Sequence, residues 1–414
     1  MRRKLVLIAA VLALLAAGGA VALYLALRKP PVGALDTQLA GVTVVAPTAT
    51  EPPPPPPPAE PAPPEGPCWP EFGGNPARTL SRPELHLGAP DAHPLWARGM
   101  GSYLEYPPSF CDGVLYVNTF AGRTVAVDAA TGAVIWSREG GTKASTPAIA
   151  GDRVIVSSHD GTVTAYRRSD GWTLWQLRLD AKVESSPVAV GDTAYFGATD
   201  GRLFAVAVAT GRVRWAYDTG GRINASPSVW GDRICITTYA GSIFCLDRRD
   251  GTKLWATYVK RDAFRYESFY ASPSTDGERL YTLSRAGKIV ALSAETGAIL
   301  WTQHVNSLGY ATPAIAGGRV FVGGFDGALR AFEAETGELL WTRSVGGRVL
   351  APALVVGDLV FFSTLERRTY AVRASDGKLL WQIGLGKYSP GIATDRAYYF
   401  SLNGILAAFA GTAP

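Results

Sequence analysis

Four histidines, four cysteines and a scatter of Asp-Gly steps are the residues of this chain whose types could carry chemistry. Their spacing decides against most of it. His86, His93, His159 and His304 lie far apart with no shared partner spacing, so neither an acid–base relay nor a zinc set assembles from them. Asp160-Gly161, Asp200-Gly201 and Asp326-Gly327 resemble pieces of calcium loops. No full Asp-x-Asp-x-Asp-Gly pattern accompanies them, and their repeated position marks hairpin turns. Glycine-rich phosphate loops, nucleophile elbows and Cys-x-x-Cys pairs are absent from the sequence. What the cysteines offer is crosslinking. Cys235 and Cys245 sit symmetrically about the Ala240-Gly241 turn, and Cys68 is placed to pair with Cys111, which in an oxidising compartment gives two disulfides. The alternative for Cys235 and Cys245 is a pair of buried small hydrophobes.

The elements that position these residues are announced by tryptophan. Trp96, Trp136, Trp175, Trp215, Trp255, Trp301, Trp341 and Trp381 follow one another at spacings of 40, 39, 40, 40, 46, 40 and 40. A period of this length means one supersecondary unit copied many times, each copy burying apolar faces against its neighbours. Within a copy, β-rich runs alternate with Gly-containing turns: residues 145–156, Asp160-Gly161, residues 162–166, Asp170-Gly171, then Trp175. That grammar reads as four antiparallel strands, one propeller blade, with the Trp on the outermost strand. Seven copies run to their Trp. The eighth passes Asn403-Gly404 and stops at Phe409, so Pro94-Leu95-Trp96 is expected to supply its fourth strand. The reading is an all-β, eight-bladed propeller.

At this point the residues carry a family resemblance. The segment from Ala126 through Asp128, Thr131-Gly132 and Trp136 resembles the eleven-residue docking motif of pyrroloquinoline quinone (PQQ)-type propellers, and degenerate versions recur over residues 94–410. The family includes quinoprotein dehydrogenases and BamB-like outer-membrane assembly scaffolds. The dehydrogenase side of the resemblance implies a quinone, an Asp base and a Glu/Asn/Asp calcium set on longer loops, often beneath an adjacent Cys-Cys pair. No adjacent Cys pair occurs here and the blades are close to minimal length. No cofactor or metal is therefore expected, although PQQ with calcium stays open as the alternative. The eight tryptophans are expected to serve blade docking alone.

The region before the repeats suggests a location. Residues 5–27 are an uncharged, mostly apolar run of 23 residues behind Met1-Arg2-Arg3-Lys4, long enough at ~1.5 Å per residue to cross a bilayer core of roughly 30 Å. A single-pass signal-anchor over residues 1–29 is expected, with Ala16-Ala17-Gly18-Gly19-Ala20 as a possible cleavage region and the remainder extracytoplasmic. The absence of a Cys in or just after this run departs from the lipoprotein anchor that the BamB-like resemblance implies. Residues 30–67 form a proline-rich linker, including an unbroken proline run at 52–58, and residues 68–414 form the propeller. Lys and Arg are scattered and the net charge is only +5, which does not indicate nucleic-acid binding.

Positions just before each inner-strand Pro should approach the central funnel. They are Glu105, Lys143, Glu184, Asn224, Tyr270, Tyr310, Arg348 and Tyr388, and they differ from copy to copy while the docking positions repeat. One crossover is longer than the others and carries Lys260, Arg261, Phe264, Arg265, Tyr266 and Phe269, types that dominate binding hot spots. The expectation is a monomeric, non-catalytic, membrane-tethered scaffold that holds an envelope protein or polymer with this face. The alternatives are a quinone-dependent dehydrogenase and a small-ligand sensor. For the rim and the loop, ordinary solvated or self-packed residues remain the competing reading.

Overall fold

A computed structural model describes residues 68–142, 145–305 and 307–412, together with the backbone of Gly33–Ala34 and Val42–Val45. The apolar run at 5–27 and almost all of the proline-rich segment lie outside the described residues. Among those described, no helix is long and apolar enough to cross a membrane.

Eight antiparallel sheets surround one axis. The first blade is Ser109–Cys111, Val114–Asn118, Arg123–Asp128 and Val134–Glu139, ordered from the axis outward, and the next six repeat it. The eighth joins Ile392–Ala393, Ala397–Leu402 and Ile405–Ala410 to Trp96–Gly99, with Ala408 opposite Trp96 and Ile405 opposite Gly99. Strands from both ends of the repeat region therefore close the ring, and no inter-blade face is left open. Gly33–Ala34 and Val42–Val45 add antiparallel to the outer strands Val213–Asp218 and Thr173–Leu179.

Blade docking follows from the Trp–Gly pair. The indole N–H of Trp96, Trp136, Trp175, Trp215, Trp255, Trp301 and Trp341 donates to a carbonyl of the following blade, at 2.7–3.2 Å. A buried indole donor is thus satisfied at seven of the eight interfaces. Each ring lies flat against the next repeat's turn glycine. A Cβ on Gly132 would stand 2.6 Å from the Trp96 ring, and its φ of 71° is in the left-handed region. Both facts require glycine there. Trp381 has no such acceptor among the described residues, since the eighth blade borrows its outer strand; it packs on Phe400 instead, centroids 5.8 Å apart.

Residues 69–82, given no element by the repeat pattern, thread the central channel. Each inner strand presents an open sheet edge whose backbone N–H groups need acceptors. The threading segment supplies them blade after blade. Phe110, Ile149, Val229, Thr275, Ile315 and Val355 donate to the carbonyls of Trp69, Pro70, Pro76, Ala77, Thr79 and Leu80, and Ala189 donates to the Glu71 carboxylate. Ser81–Arg82 then lies parallel to Leu354–Val356. Arg78, fully buried on the axis, donates to the carbonyls of Phe72, Ser186 and Pro227. Burial pushes the Glu71 carboxyl up to about 7 against the pull of Arg78, and lowers the Arg78 guanidinium to about 10.

Candidate functional site: the central funnel

Above this plug the channel opens into a cavity of about 330 Å³. Crossovers and the second-to-third strand turns form its mouth; Phe72 of the plug forms part of its floor. The lower wall is a belt of hydroxyls from the residue before the inner-strand Pro: Thr146, Ser186, Ser226, Ser272, Thr312 and Ser389. Backbone N–H groups of Thr146, Ser186, Ser226 and Ser272 donate to the side-chain oxygens of Ser186, Ser226, Ser272 and Thr312, each in the next blade, at 2.9–3.2 Å. The belt ties blade to blade at the narrowest radius, and it fixes where the preceding side chains point.

Those preceding side chains are the rim. Glu105, Asn224, Tyr270, Tyr310 and Tyr388 all line the cavity. Asn224 is buried and donates to the Glu184 carboxylate, which also faces Arg222 at 3.6 Å. Glu105 accepts no hydrogen bond from a described residue. Burial first, then the charge of Glu184, raises its carboxyl above the ordinary value. Arg348 does not line the cavity; it pairs with Glu366 at 2.8 Å on the exposed edge. Lys143 lies outside the described residues.

Aromatic rings complete the wall. Tyr239, Tyr270, Tyr310 and Phe325 follow one another with centroids 5.6–6.2 Å apart, and Arg285 stacks over both Tyr239 and Tyr310 at 5.6 Å. Tyr239, Arg285 and Phe325 were not among the expected rim residues. They had a sequence signal: the residue heading the second-to-third strand turn recurs as Phe120, His159, Thr199, Tyr239, Arg285, Phe325 and Leu365, six residue types in seven copies. Its backbone N–H donates to the neighbouring crossover in all seven cases, at 2.8–3.3 Å. Phe72 and Tyr106, also in the cavity, carried no repeat signal.

The long crossover folds into its own small hairpin. Lys260 bridges Tyr266, and Asp262 accepts from the backbone N–H groups of Phe264 and Arg265. Lys260, Arg261, Phe264 and Arg265 are exposed, Phe264 at 68%. Tyr266 is half-buried on Tyr258. Phe269 does not belong to the exposed set: it is fully buried with Cys235, Ile243, Trp255 and Leu280 between two blades. Beneath the hairpin, Lys288 reaches buried Glu267 at 3.3 Å and the Lys260 carbonyl at 2.7 Å. Disulfides join Cys68 to Cys111 and Cys235 to Cys245; the first fixes the plug where it enters the ring, the second lies in register between two strands.

Fold and site together define a PQQ-like eight-bladed propeller with a plugged channel. The family model described as outer membrane protein assembly factor BamB matches residues 86–262 and 240–397, and the chain belongs to that family. The outer membrane protein assembly factor BamB of Xanthomonas campestris pv. campestris is 28% identical over 115 residues, which span 25% of this chain and 27% of that protein. In structure the chain is similar to BamB from Moraxella catarrhalis, with a TM-score of 0.66 at 16% identity over 77% of this chain and 97% of that one. A europium-containing methanol dehydrogenase gives 0.72 at 15% identity, covering 83% and 98%. The quinohemoprotein alcohol dehydrogenase of Comamonas testosteroni gives 0.70 at 14%, covering 84% and 81%. At these identities the structural likenesses establish the fold alone.

The dehydrogenase resemblance can be tested against the donors present. Glu184 and Asn224 stand side by side, as two members of a Glu/Asn/Asp calcium set would. No Asp lines the funnel among the described residues, however, and neither disulfide lies among the residues of its wall. The set implied for a quinone with calcium is therefore incomplete, and no step is derived through it.

Proposed function

We propose that this protein is an extracytoplasmic, membrane-tethered scaffold that holds a protein partner against its funnel face and the 260–266 hairpin. One observation carries the reading: side chains of several types gather over a cavity whose floor the chain itself closes, while the inner strands below give their backbone N–H groups to the threading segment. Such a surface is specific without being needed for the fold. Membership of a family described by an outer-membrane assembly factor supports it. The tether would leave from the opposite face, because the plug enters beside Cys111 and the Asp112-Gly113 turn, at the far end of the inner strand from the crossovers.

Photo-crosslinking in intact cells tests this, with a probe replacing Phe264 and a control probe replacing Asp170 on an opposite-face turn. Capture of a protein by the first probe and not the second is expected. Equal capture, or none, would remove the main support. A redox role on the pattern of the dehydrogenases is the second reading, favoured by the Glu184–Asn224 pair. Saturable quenching of tryptophan fluorescence by PQQ with calcium, together with dye-linked alcohol oxidation, would establish it and displace the purely scaffolding one.

A further inference from the structure

We propose that the funnel cavity receives a single cationic side chain, a lysine or arginine of the protein partner, with Glu105 as its counter-charge and the rings of Tyr270, Tyr310 and Tyr388 as its walls. The assignment of that cation to a partner rests on the scaffold reading above.

Three acidic groups around the funnel are matched by neighbours, and Glu105 is not. Glu184 has Asn224 and Arg222, Glu366 has Arg348, and Asp326 has Arg330. Glu105 has neither a donor nor a cation within ion-pair distance among the described residues, although it is largely shielded from solvent and faces a second carboxylate. Both conditions disfavour its charged form, and a cation entering the cavity relieves both. The rings point the same way. Aromatic faces attract cations through the ring quadrupole, and this funnel already uses them so: Arg285 lies over Tyr310, Lys387 lies 4.6 Å over Tyr388, and Arg78 lies 5.4 Å from the Phe72 ring in the floor. A cavity of about 330 Å³ has room for one long side chain and none for a helix. Of the cations at the mouth, Arg222 pairs with Glu184, Arg285 with Tyr310 and Arg348 with Glu366, and Lys387 lies over Tyr103 and Tyr388, so these four are already engaged.

The test titrates the full chain with three small probes, the Nα-acetyl amides of lysine, norleucine and glutamate, followed by ligand-observed NMR up to millimolar concentrations. The lysine amide should bind about tenfold tighter than its neutral isostere, as a charge-assisted contact with aromatic support implies. Glu105→Gln should abolish that preference, and Tyr388→Leu should weaken it, with Asp152→Asn on the opposite face as a neutral control. Thermal melts verify that each variant is folded, and Tyr388→Leu decides the matter if Glu105→Gln does not fold. Equal binding of lysine and norleucine, preference for glutamate, binding of none, or a lysine preference that survives both substitutions would overturn the proposal. The titration involves no partner, so its failure leaves a crosslinking result standing, and empty crosslinking leaves the titration standing.

Discussion

The lower half of the central channel is lined by the inner strands and the upper half by the segments that lead into them, and the two differ in how their polar groups are satisfied. In the lower half, the N–H groups of seven blades find acceptors in residues 69–82, and even the Arg78 guanidinium is surrounded by carbonyls. In the upper half, side chains of unlike type face an open cavity and Glu105 stands without a donor among the described residues. The contrast separates two demands on one ring. Closing the lower half makes the fold independent of any ligand, which frees the upper half to vary. An inner strand cannot do both at one height, because an N–H given to the plug is unavailable to anything else.

If that division is right, the largest effects on stability come from the plug. Arg78→Ala removes the donor set on the axis and leaves Glu71 buried without its compensating charge. Three buried carbonyls lose their donor, and leaving a buried polar group unsatisfied costs about 1–3 kcal/mol. Urea unfolding of the variant should show a loss in that range, with the funnel probes binding only in the folded fraction. A loss below about 1 kcal/mol, the level of an exposed ion pair, would mean the plug is an accessory and would break the comparison.

Glu71 sharpens the same point through pH. Its carboxyl is raised from 4.5 to about 7 by burial, so the native state holds a proton that the unfolded chain has lost over that interval. The stabilisation is fully present below about pH 4.5 and is lost as pH rises through about 7. Glu71→Gln, which still offers an oxygen to Ala189, should flatten the dependence. Relative to that variant, the parent should lose up to about 3 kcal/mol between pH 4.5 and 8. Parallel pH profiles for the two proteins would show that Glu71 is ionised in the plug throughout.

The two halves were also unequally legible in sequence. Repetition made the ring readable: tryptophans at a forty-residue period and an unfinished last copy were enough to place eight blades and the closure through Trp96. The same periodicity directed attention to the rim, and five of the eight residues so chosen line the cavity. Arg348 escapes it because a nearby Glu366 offers a better-solvated partner. Phe269 was misplaced for a different reason: the insertion that lengthens its crossover ends sooner than the spacing implies, and the ring has already turned into the core. The plug left no trace, because residues 69–82 occur once and bond mainly through backbone carbonyls, which any sequence possesses. Its side-chain anchors, Glu71 and Arg78, look like ordinary surface charges until the channel is seen around them.

The smallest stability effects are expected at the rim, and they test the comparison from its other side. Arg348 and Glu366 form an exposed pair, with side chains 55% and 40% accessible, a setting in which such contacts contribute about 0–1 kcal/mol. Phe264, 68% exposed at the tip of its hairpin, removes little apolar surface from water. Arg348→Ala and Phe264→Ala should therefore each unfold within about 1 kcal/mol of the parent, while lowering the yield of a partner crosslinked at a neighbouring position such as Arg261. A rim that exists for binding shows this pairing of small stability change with large capture change, because its side chains spend their contacts outward. Were Phe264→Ala to destabilise as Arg78→Ala does, the hairpin would be part of the frame, and the variable face would have to be sought in the cavity alone.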